Sequence, residues 1–377
     1  MAIYDLVATT AFGIEAIAAK ELKELGFKDL QVENGKITYK GDEKAICMSN
    51  LWLRCVDRVY IKLGEFKATS FEQLFQGVKK IDWANYLPEN AEFPVADAKS
   101  VKSQLFSLSD IQAITKKAIV EKMKENYSVS WFNEGGAYYP IHVAIHKDIV
   151  TVHLNTSGTA LHRRGYREKG NEAPLKETLA AALVKISGWT KEYPLVDPFC
   201  GSGTILIEAA LMARNIAPGI NRKFAFEDWD IMPEGLFKKC KKEAYEVIDY
   251  ESELKLQGYD INRRSCGIAR SNCELAGVDD SVHIQEMDMR NLSNKRKYGY
   301  IICNPPYGER LNDIDEIKVL YKDMGISFEK LPYWNKFILT SNEDFQIFYG
   351  RRSSKNRKLY NGRLKCYFYQ YFDEKRC

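Results

Sequence analysis

The stretch Leu195 to Ala210, LVDPFCGSGTILIEAA, runs from an apolar segment onto an acid, turns through two glycines and enters an apolar helical pattern. It reads as a strand, a tight loop and a helix start. Gly201 and Gly203 admit backbone angles or close approaches that a Cβ blocks, and the helix that follows turns its first free N–H groups and positive dipole end toward the loop. Downstream, Asn304-Pro305-Pro306-Tyr307 follows the apolar run Tyr300 to Cys303 directly, so a second strand ends on a stiff polar-aromatic loop. Two such strand ends can face one cleft.

The glycine loop alone does not identify a ligand. No Gly-Lys-Ser/Thr follows, so it is not a phosphate-binding P-loop. Its second glycine leads into Thr204-Ile205-Leu206 rather than toward a third glycine, which disfavours a nicotinamide cofactor. Paired with NPPY, the stretch resembles the class I S-adenosylmethionine (SAM) dependent methyltransferases, in particular those that methylate exocyclic nitrogens of bases.

That resemblance implies a site residue by residue. Asp197, at the end of the first strand, is expected to hold the SAM ammonium directly or through water, with Pro198, Cys200, Gly201, Ser202 and Gly203 lining the approach. Asp260, in GYDIN, is the expected acid for the ribose hydroxyls, followed by Ile261; Asp288, in EMDMRNL, is expected at the adenine amine, with Met289 beside it. Asn304 borders the cofactor and, with Pro305, Pro306 and Tyr307, forms the expected catalytic clamp. The Asn304 side-chain carbonyl and the Pro305 main-chain carbonyl accept hydrogen bonds from an NH₂ group, while Tyr307 stacks on the base. Consecutive prolines stiffen the loop, which suits catalysis by alignment. Asn cannot take a proton, so the proton leaves to water.

A chain of 377 residues is long enough for two or three domains with full cores. Nine cysteines occur without a CxxC pair, several in apolar runs where a reduced thiol packs as a small hydrophobe. Glu15, Lys20 and Glu21 interrupt any signal-peptide core, and nowhere do eighteen apolar residues run together. The expectation is a cytoplasmic, soluble protein with no membrane and no metal. The formal charge of +4 is too small to argue for nucleic acid by itself. Local clusters carry that case. Arg351 to Lys365 holds seven basic residues and no acid, and His162 to Arg167 is a short basic loop. The candidate RNA contacts are Arg163, Arg164, Tyr166, Arg167, Arg351, Arg352, Lys355, Arg357 and Lys358; a solvated charged surface accounts for the same clusters.

Toward the N-terminus the periodicities predict a strand at 3–9, a helix at 13–26, a strand at 36–40, a helix at 43–52 and a strand at 54–63. Ser70 with Gln73 and Ser109 with Gln112 read as capping boxes opening two further helices, with a strand at 93–98 between them. His142 and His146 sit four apart, yet alternate with Ile141, Val143 and Ile145, so residues 141–154 read as a hairpin with solvated or RNA-facing histidines rather than a zinc site. The opening YDLVATTAFGIEAIAAKEL and the pattern VAIHKDIVTVHLNTSG resemble the ferredoxin-like plus THUMP module of RNA-modifying enzymes. This implies an RNA grip with Lys99, Lys102, Lys116, Lys117, Lys122 and Lys124 as candidate phosphate contacts. SGTALHRRGYR…APLKETLAAALV resembles the segment ahead of the SAM domain in THUMP-containing guanine-N2 methyltransferases of 23S ribosomal RNA.

From Leu195 onward strands and helices alternate, which predicts an α/β, Rossmann-like, doubly wound and mostly parallel sheet; the Asn361-Gly362 hairpin supplies the antiparallel last strand the resemblance implies. The expected domains are 1–64 (ferredoxin-like), 65–157 (THUMP) and 158–377 (methyltransferase, with 158–190 as linker and leading helix). Sixty-three residues separate Asp197 from Asp260, against about 20 in a minimal first βα unit, so residues 213–250 are an insertion. The expected function is SAM-dependent methylation of guanosine N2 in large-subunit ribosomal RNA or an assembly intermediate. A tRNA guanosine, adenine N6 in DNA, a protein glutamine, and a non-catalytic RNA-binding or ribosome-assembly role are the competing readings.

Overall fold

The computed structural model describes residues 2–167, 175–308 and 314–372. The chain forms two compact units, one of residues 1–9, 21–161 and 222–243, the other of 10–20, 162–221 and 244–377. Pro174 and the last two residues expected in the 156–169 linker lie outside the described residues, as does Cys377.

The first unit is built on β1 (Tyr4–Thr9), β2 (Gln31–Glu33), β3 (Lys36–Gly41), β4 (Arg58–Lys67), β5 (Val95–Val101), β6 (Ile141–His146) and β7 (Ile149–Asn155). They form one seven-stranded sheet in the order β2-β3-β1-β4-β7-β6-β5. Between them run α1 (Glu15–Glu24), α2 (Glu43–Trp52), α3 (Phe71–Lys79) and α4 (Leu108–Tyr127). β4 joins the two halves of this sheet: it pairs antiparallel with β1 over Arg58 to Ile61 and with β7 over Tyr60 to Lys67, with a register shift between Lys62 and Gly64. The expected boundary at 64/65 therefore falls inside a strand, and the two modules share one sheet.

Local chemistry explains where the structure departs from the sequence pattern. β4 starts at Arg58 rather than Arg54 because the backbone N–H groups of Arg54 and Cys55 donate to Glu21 Oε2 at 3.1 and 3.0 Å, which removes them from the ladder. At Ser70 the capping hydroxyl accepts from Gln73 N at 3.3 Å as expected. At α4 the expected Ser109–Gln112 box does not form; the helix begins at Leu108, and the Gln112 amide donates to Val95 O at 2.8 Å. β6 and β7 join through Lys147 and Asp148, both at positive φ, the geometry of a two-residue hairpin. His142 is not solvent-facing. Its ring packs 5.2 Å from Tyr60 and 5.7 Å from His153, whereas His146 is exposed.

Part of the insertion belongs to this first unit. Trp229 stacks on Tyr139 with centroids 5.0 Å apart and donates its indole N–H to Tyr138 O at 2.9 Å. Phe226 N–H bonds Thr156 O at 3.1 Å, and Arg222 caps Ala160 O at 2.9 Å. A Cβ on Gly158, at positive φ, would meet Ala225 at 3.3 Å. Residues 222–243 are thus an integral part of the N-terminal unit.

The second unit contains α5 (Glu177–Ser187), β8 (Leu195–Asp197), α6 (Thr204–Ala213), β9 (Leu256–Asp260), α8 (Arg263–Ala276), β10 (Val282–Glu286), β11 (Gly299–Cys303), α9 (Ile314–Glu329), β12 (Trp334–Thr340), α10 (Phe345–Tyr349), β13 (Lys355–Asn361) and β14 (Leu364–Tyr371); α7 (Leu236–Glu246) lies within the insertion, and its residues from Ala244 onward belong to this unit. The strand order is β10-β9-β8-β11-β12-β14-β13, parallel through β12 and antiparallel for the last two. Every residue of β8, β11 and β12 is buried, as a parallel sheet covered on both faces requires. This is the doubly wound class I methyltransferase fold. Chain order reverses between β8 and β11, and a crevice opens there at the carboxyl ends of the strands.

Candidate functional site

Registry brings the motif residues together. Val196 in β8 pairs with Ile301 in β11, so Asp197 and Asn304 leave adjacent central strands on the same side. Asp197 also pairs with Gly258, and Glu286 with Asp260, so Asp260 and Asp288 emerge from the next two strand ends. A cavity of about 580 Å³ lies among them, lined by Asp197, Pro198, Cys200, Gly201, Ser202, Asp260, Ile261, Asp288, Met289 and Asn304 to Tyr307. Of the expected cofactor and clamp residues, Gly203 alone is not in the lining. It sits one step behind as the N-cap of α6, at φ 81°, where a Cβ would meet Ala269 at 3.3 Å.

The electrostatics of this crevice suit a ligand with a cationic end and hydroxyls. Asp197 is fully buried; it accepts one hydrogen bond, from Phe199 N at 3.1 Å, and burial with help from the nearby Asp260 pushes its carboxyl up to about 8. A buried acid in that state gains from a cation placed against it. Asp260 is held in place by two backbone donors, Gly201 N at 3.0 Å and Asn262 N at 2.8 Å, one on each oxygen. Each oxygen keeps lone-pair capacity for hydroxyl donors. Ile261 beside it is 70% exposed, an apolar surface at the cavity mouth. Asp288 is more engaged than the sequence suggests: its oxygens accept from Arg290 N and the Arg290 guanidinium, both at 2.8 Å, and this holds it below the usual carboxylate range.

At the other strand end the NPPY loop is braced from two sides. The Tyr307 hydroxyl donates to Asn304 Oδ1. Tyr321, buried on α9, donates to Pro306 O at 2.9 Å and shares a hydrogen bond of 2.9 Å with the Thr340 hydroxyl. Asn304 is therefore held by the tyrosine of its own motif, a link the sequence did not suggest. Leu175, Phe199, Thr204, Met287, Arg290 and Leu320 also line the cavity. Leu320 and Leu175 carry no motif signal and could be found only from the fold.

The basic loop is corrected. Arg164 is buried with its Nε 3.4 Å from Glu208 Oε1, and Tyr166 is buried with its hydroxyl on the same oxygen at 3.0 Å. Arg167 pairs with Glu177 at 3.3 Å and donates to Leu175 O at 3.2 Å and to the Thr204 hydroxyl. Arg164 and Arg167 pair with buried carboxylates on α6 and α5, Tyr166 hydrogen-bonds one of them, and Arg167 reaches Thr204 at the start of α6, so these side chains are turned inward. Arg163 is exposed, as are Arg351, Arg352, Lys355 and Lys358, while Arg357 is half-buried. In the first unit Lys116, Lys122 and Lys124 each pair with a glutamate, and Lys99 and Lys117 are exposed. Among the described residues no group of three or more His, Cys, Asp or Glu could hold a metal, and no helix is long and apolar enough to cross a membrane.

Comparison with known proteins places this geometry. Residues 164–370 match the family described as RMKL-like, methyltransferase domain; residues 5–60 match the RlmL ferredoxin-like domain and 68–155 the THUMP domain. The protein named "Putative RNA methyltransferase YpsC" of Bacillus subtilis (strain 168) is 46% identical over 375 residues, 99% of this chain and 97% of its own. Among solved structures, SMU.472, a methyltransferase by name crystallised with S-adenosylhomocysteine (SAH), is 46% identical over 100% of this chain and 99% of its own, with a TM-score of 0.95. A protein from Listeria monocytogenes str. 4b F2365, named as a predicted N6-adenine-specific DNA methylase, is 46% identical over 99% of this chain and 97% of its own, with a TM-score of 0.93.

Proposed function

The chain belongs to the family of RMKL-like methyltransferases that carry an RlmL-type ferredoxin-like domain and a THUMP domain, and from that premise we propose that it methylates the exocyclic N2 of a guanosine in large-subunit ribosomal RNA. S-adenosylmethionine is the cofactor, and when bound it supplies an electrophilic methyl group. In this reading Asp197 takes the ammonium of its amino-acid end, Asp260 the ribose hydroxyls, and Asp288 with Ile261 and Met289 the adenine.

Asn304 Oδ1 has two lone pairs, of which the Tyr307 hydroxyl uses one. The other accepts an N–H of the target amine, and the Pro305 carbonyl accepts the second. Both acceptors draw on the amine hydrogens and localise the nitrogen lone pair, which points at the methyl carbon. Methyl transfer would form a nitrogen–carbon bond as the cofactor's carbon–sulfur bond breaks, and the released proton would leave to water, since the Asn304 amide and the two prolines cannot take it. Catalysis here is alignment on a stiff loop. An N2 amine in a paired helix is buried against its partner, so the base must be unstacked or already single-stranded.

The observation that supports this best is the adjacency of the Asp197 and Asn304 strand ends around one cavity. RNA is favoured over DNA by the THUMP match and by YpsC's name, against the name of the Listeria neighbour. Mass-spectrometric mapping of nucleosides in ribosomal RNA from a strain lacking the gene decides the matter. The expected result is the loss of one N2-methylguanosine, restored by adding the protein with SAM; loss of N6-methyladenosine, or a change confined to tRNA, overturns it.

A further inference from the structure

Residues 10–20 cluster with the catalytic unit although they lie at the start of the N-terminal module. The reason is a glycine contact. Gly13 has φ 94°, and a Cβ there would stand 2.5 Å from Lys358 O and 3.2 Å from Leu359 Cδ2, so a residue without a side chain lets the segment lie directly on β13. Leu359 pairs with Cys366 across the β13–β14 ladder, and directly paired residues project from one face. The Cys366 thiol is in hydrogen-bonding contact with the Tyr307 hydroxyl. Gly13 and the NPPY tyrosine thus both touch this cross-strand pair, and the residue before Gly13 lies at the same end of β13.

That residue is Phe12, 50% exposed. Its ring meets Tyr360 edge to face, with centroids 6.0 Å apart at 73°, and the Lys358 ammonium lies 5.6 Å from the Tyr360 centroid. Around the pair runs the acid-free segment Arg351 to Lys365, with Lys355 and Arg363 exposed. Lysines on an edge strand also discourage strand-to-strand aggregation, but that task needs no aromatic step.

We propose that Phe12 and Tyr360 form a stacking step for an unpaired RNA nucleotide next to the methylated one, with the basic hairpin holding its phosphates. The inference rests on the RNA reading above. Turning a base out of its stack strips a partner from the neighbouring base, and an exposed aromatic surface on the same unit replaces that partner without reading sequence. Two rings set at right angles, one anchored by the glycine contact, present such a surface before RNA arrives.

The test uses the full chain, with fluorescence anisotropy on a fluorescein-labelled unstructured oligoribonucleotide carrying one guanosine, and methyl incorporation into ribosomal RNA from a strain lacking the gene. Phe12→Ala is expected to weaken oligonucleotide binding about tenfold, the size of one lost base–aromatic stack, and to raise KM for RNA more than it lowers kcat. SAM affinity by calorimetry stays at the wild-type value, and Phe12→Trp restores RNA affinity, which a merely structural Phe12 would not allow. Equal affinities for wild type and Phe12→Ala overturn the stack while leaving the RNA reading intact. A wild-type chain that binds no RNA in the same buffer overturns both.

Discussion

The Tyr307 hydroxyl hydrogen-bonds Asn304 Oδ1 inside a single NPPY turn, so the acceptor proposed for the substrate amine is oriented before any substrate arrives. The two residues then separate by function. Asn304→Ala removes the acceptor and should lower kcat by orders of magnitude, with SAM affinity near the wild-type value in calorimetry. Tyr307→Phe keeps a ring for the base but releases the Asn304 amide, and should lower kcat by about tenfold, the worth of one orienting hydrogen bond of roughly 1.4 kcal/mol. Equal loss of SAM binding in Asn304→Ala would refute the clamp role.

Asp197 carries an electrostatic cost that the ammonium proposed to sit against it would relieve. Burial pushes its carboxyl up to about 8, so as pH rises from its ordinary 3.8 toward that value the folded protein keeps a proton that the unfolded chain gives up. The stability this group contributes is fully present below 3.8 and is lost as pH rises through 8. Asp197→Asn retains an oxygen for Phe199 N and removes the charge. Without cofactor, the variant should melt several degrees above wild type at pH 8 and at the wild-type temperature at pH 3.5, while its SAM affinity falls steeply. Calorimetric scans at the two pH values check the first claim and titration the second.

Arg164 and Glu208 form a buried pair, side chains 3% and 0% exposed. Removing one partner leaves the other charge buried alone, at a cost of about 3–5 kcal/mol. Arg164→Met should therefore shift urea unfolding strongly, yet change RNA affinity little at temperatures where the variant is folded. Arg163→Met, next in sequence but exposed, should leave the unfolding midpoint unmoved.

This contrast shows where sequence reasoning stopped. The strand ends at Asp197, Asp260, Asp288 and Asn304 were legible because each residue lies within two positions of a strand end that local pattern marks, while the roles expected of them came from the family resemblance. The partners of Arg164 and Arg167 were not, because Glu208 and Glu177 sit 44 and 10 residues away on helices whose inward faces only the packing defines. His142 alternates with apolar residues and so reads as outward-facing, but Tyr60 from β4 and His153 from β7 cover it. The insertion was visible as excess length between Asp197 and Asp260, yet its attachment through Trp229 to Tyr139 was not, since an aromatic stack over 90 residues of separation leaves no periodic trace. A truncation at residue 155 would strip that stack from Trp229, and point variants in the full chain are the cleaner probe.

The two units should respond to pH with opposite signs. His153, on β7, is held neutral: burial first, then the charges of His142, Lys36 and Lys62, push it down to about 3. Between that value and its ordinary 6.5 the unfolded chain binds a proton that the native sheet refuses, so stability from this group rises with pH and is lost on acidification. Going from pH 6.5 to pH 5 costs about 2 kcal/mol for one such proton. Asp197 acts oppositely over the same window, so a global melting curve partly cancels the two. Hydrogen exchange resolves them by location. Amides of β6 and β7 should lose protection at pH 5 relative to pH 6.5, after correction for intrinsic exchange, while those of β8 and β11 gain it. In His153→Phe, which keeps a ring against Tyr60, the acid sensitivity of β6 and β7 should flatten; an unchanged slope would mean that His153 is protonated in the native sheet.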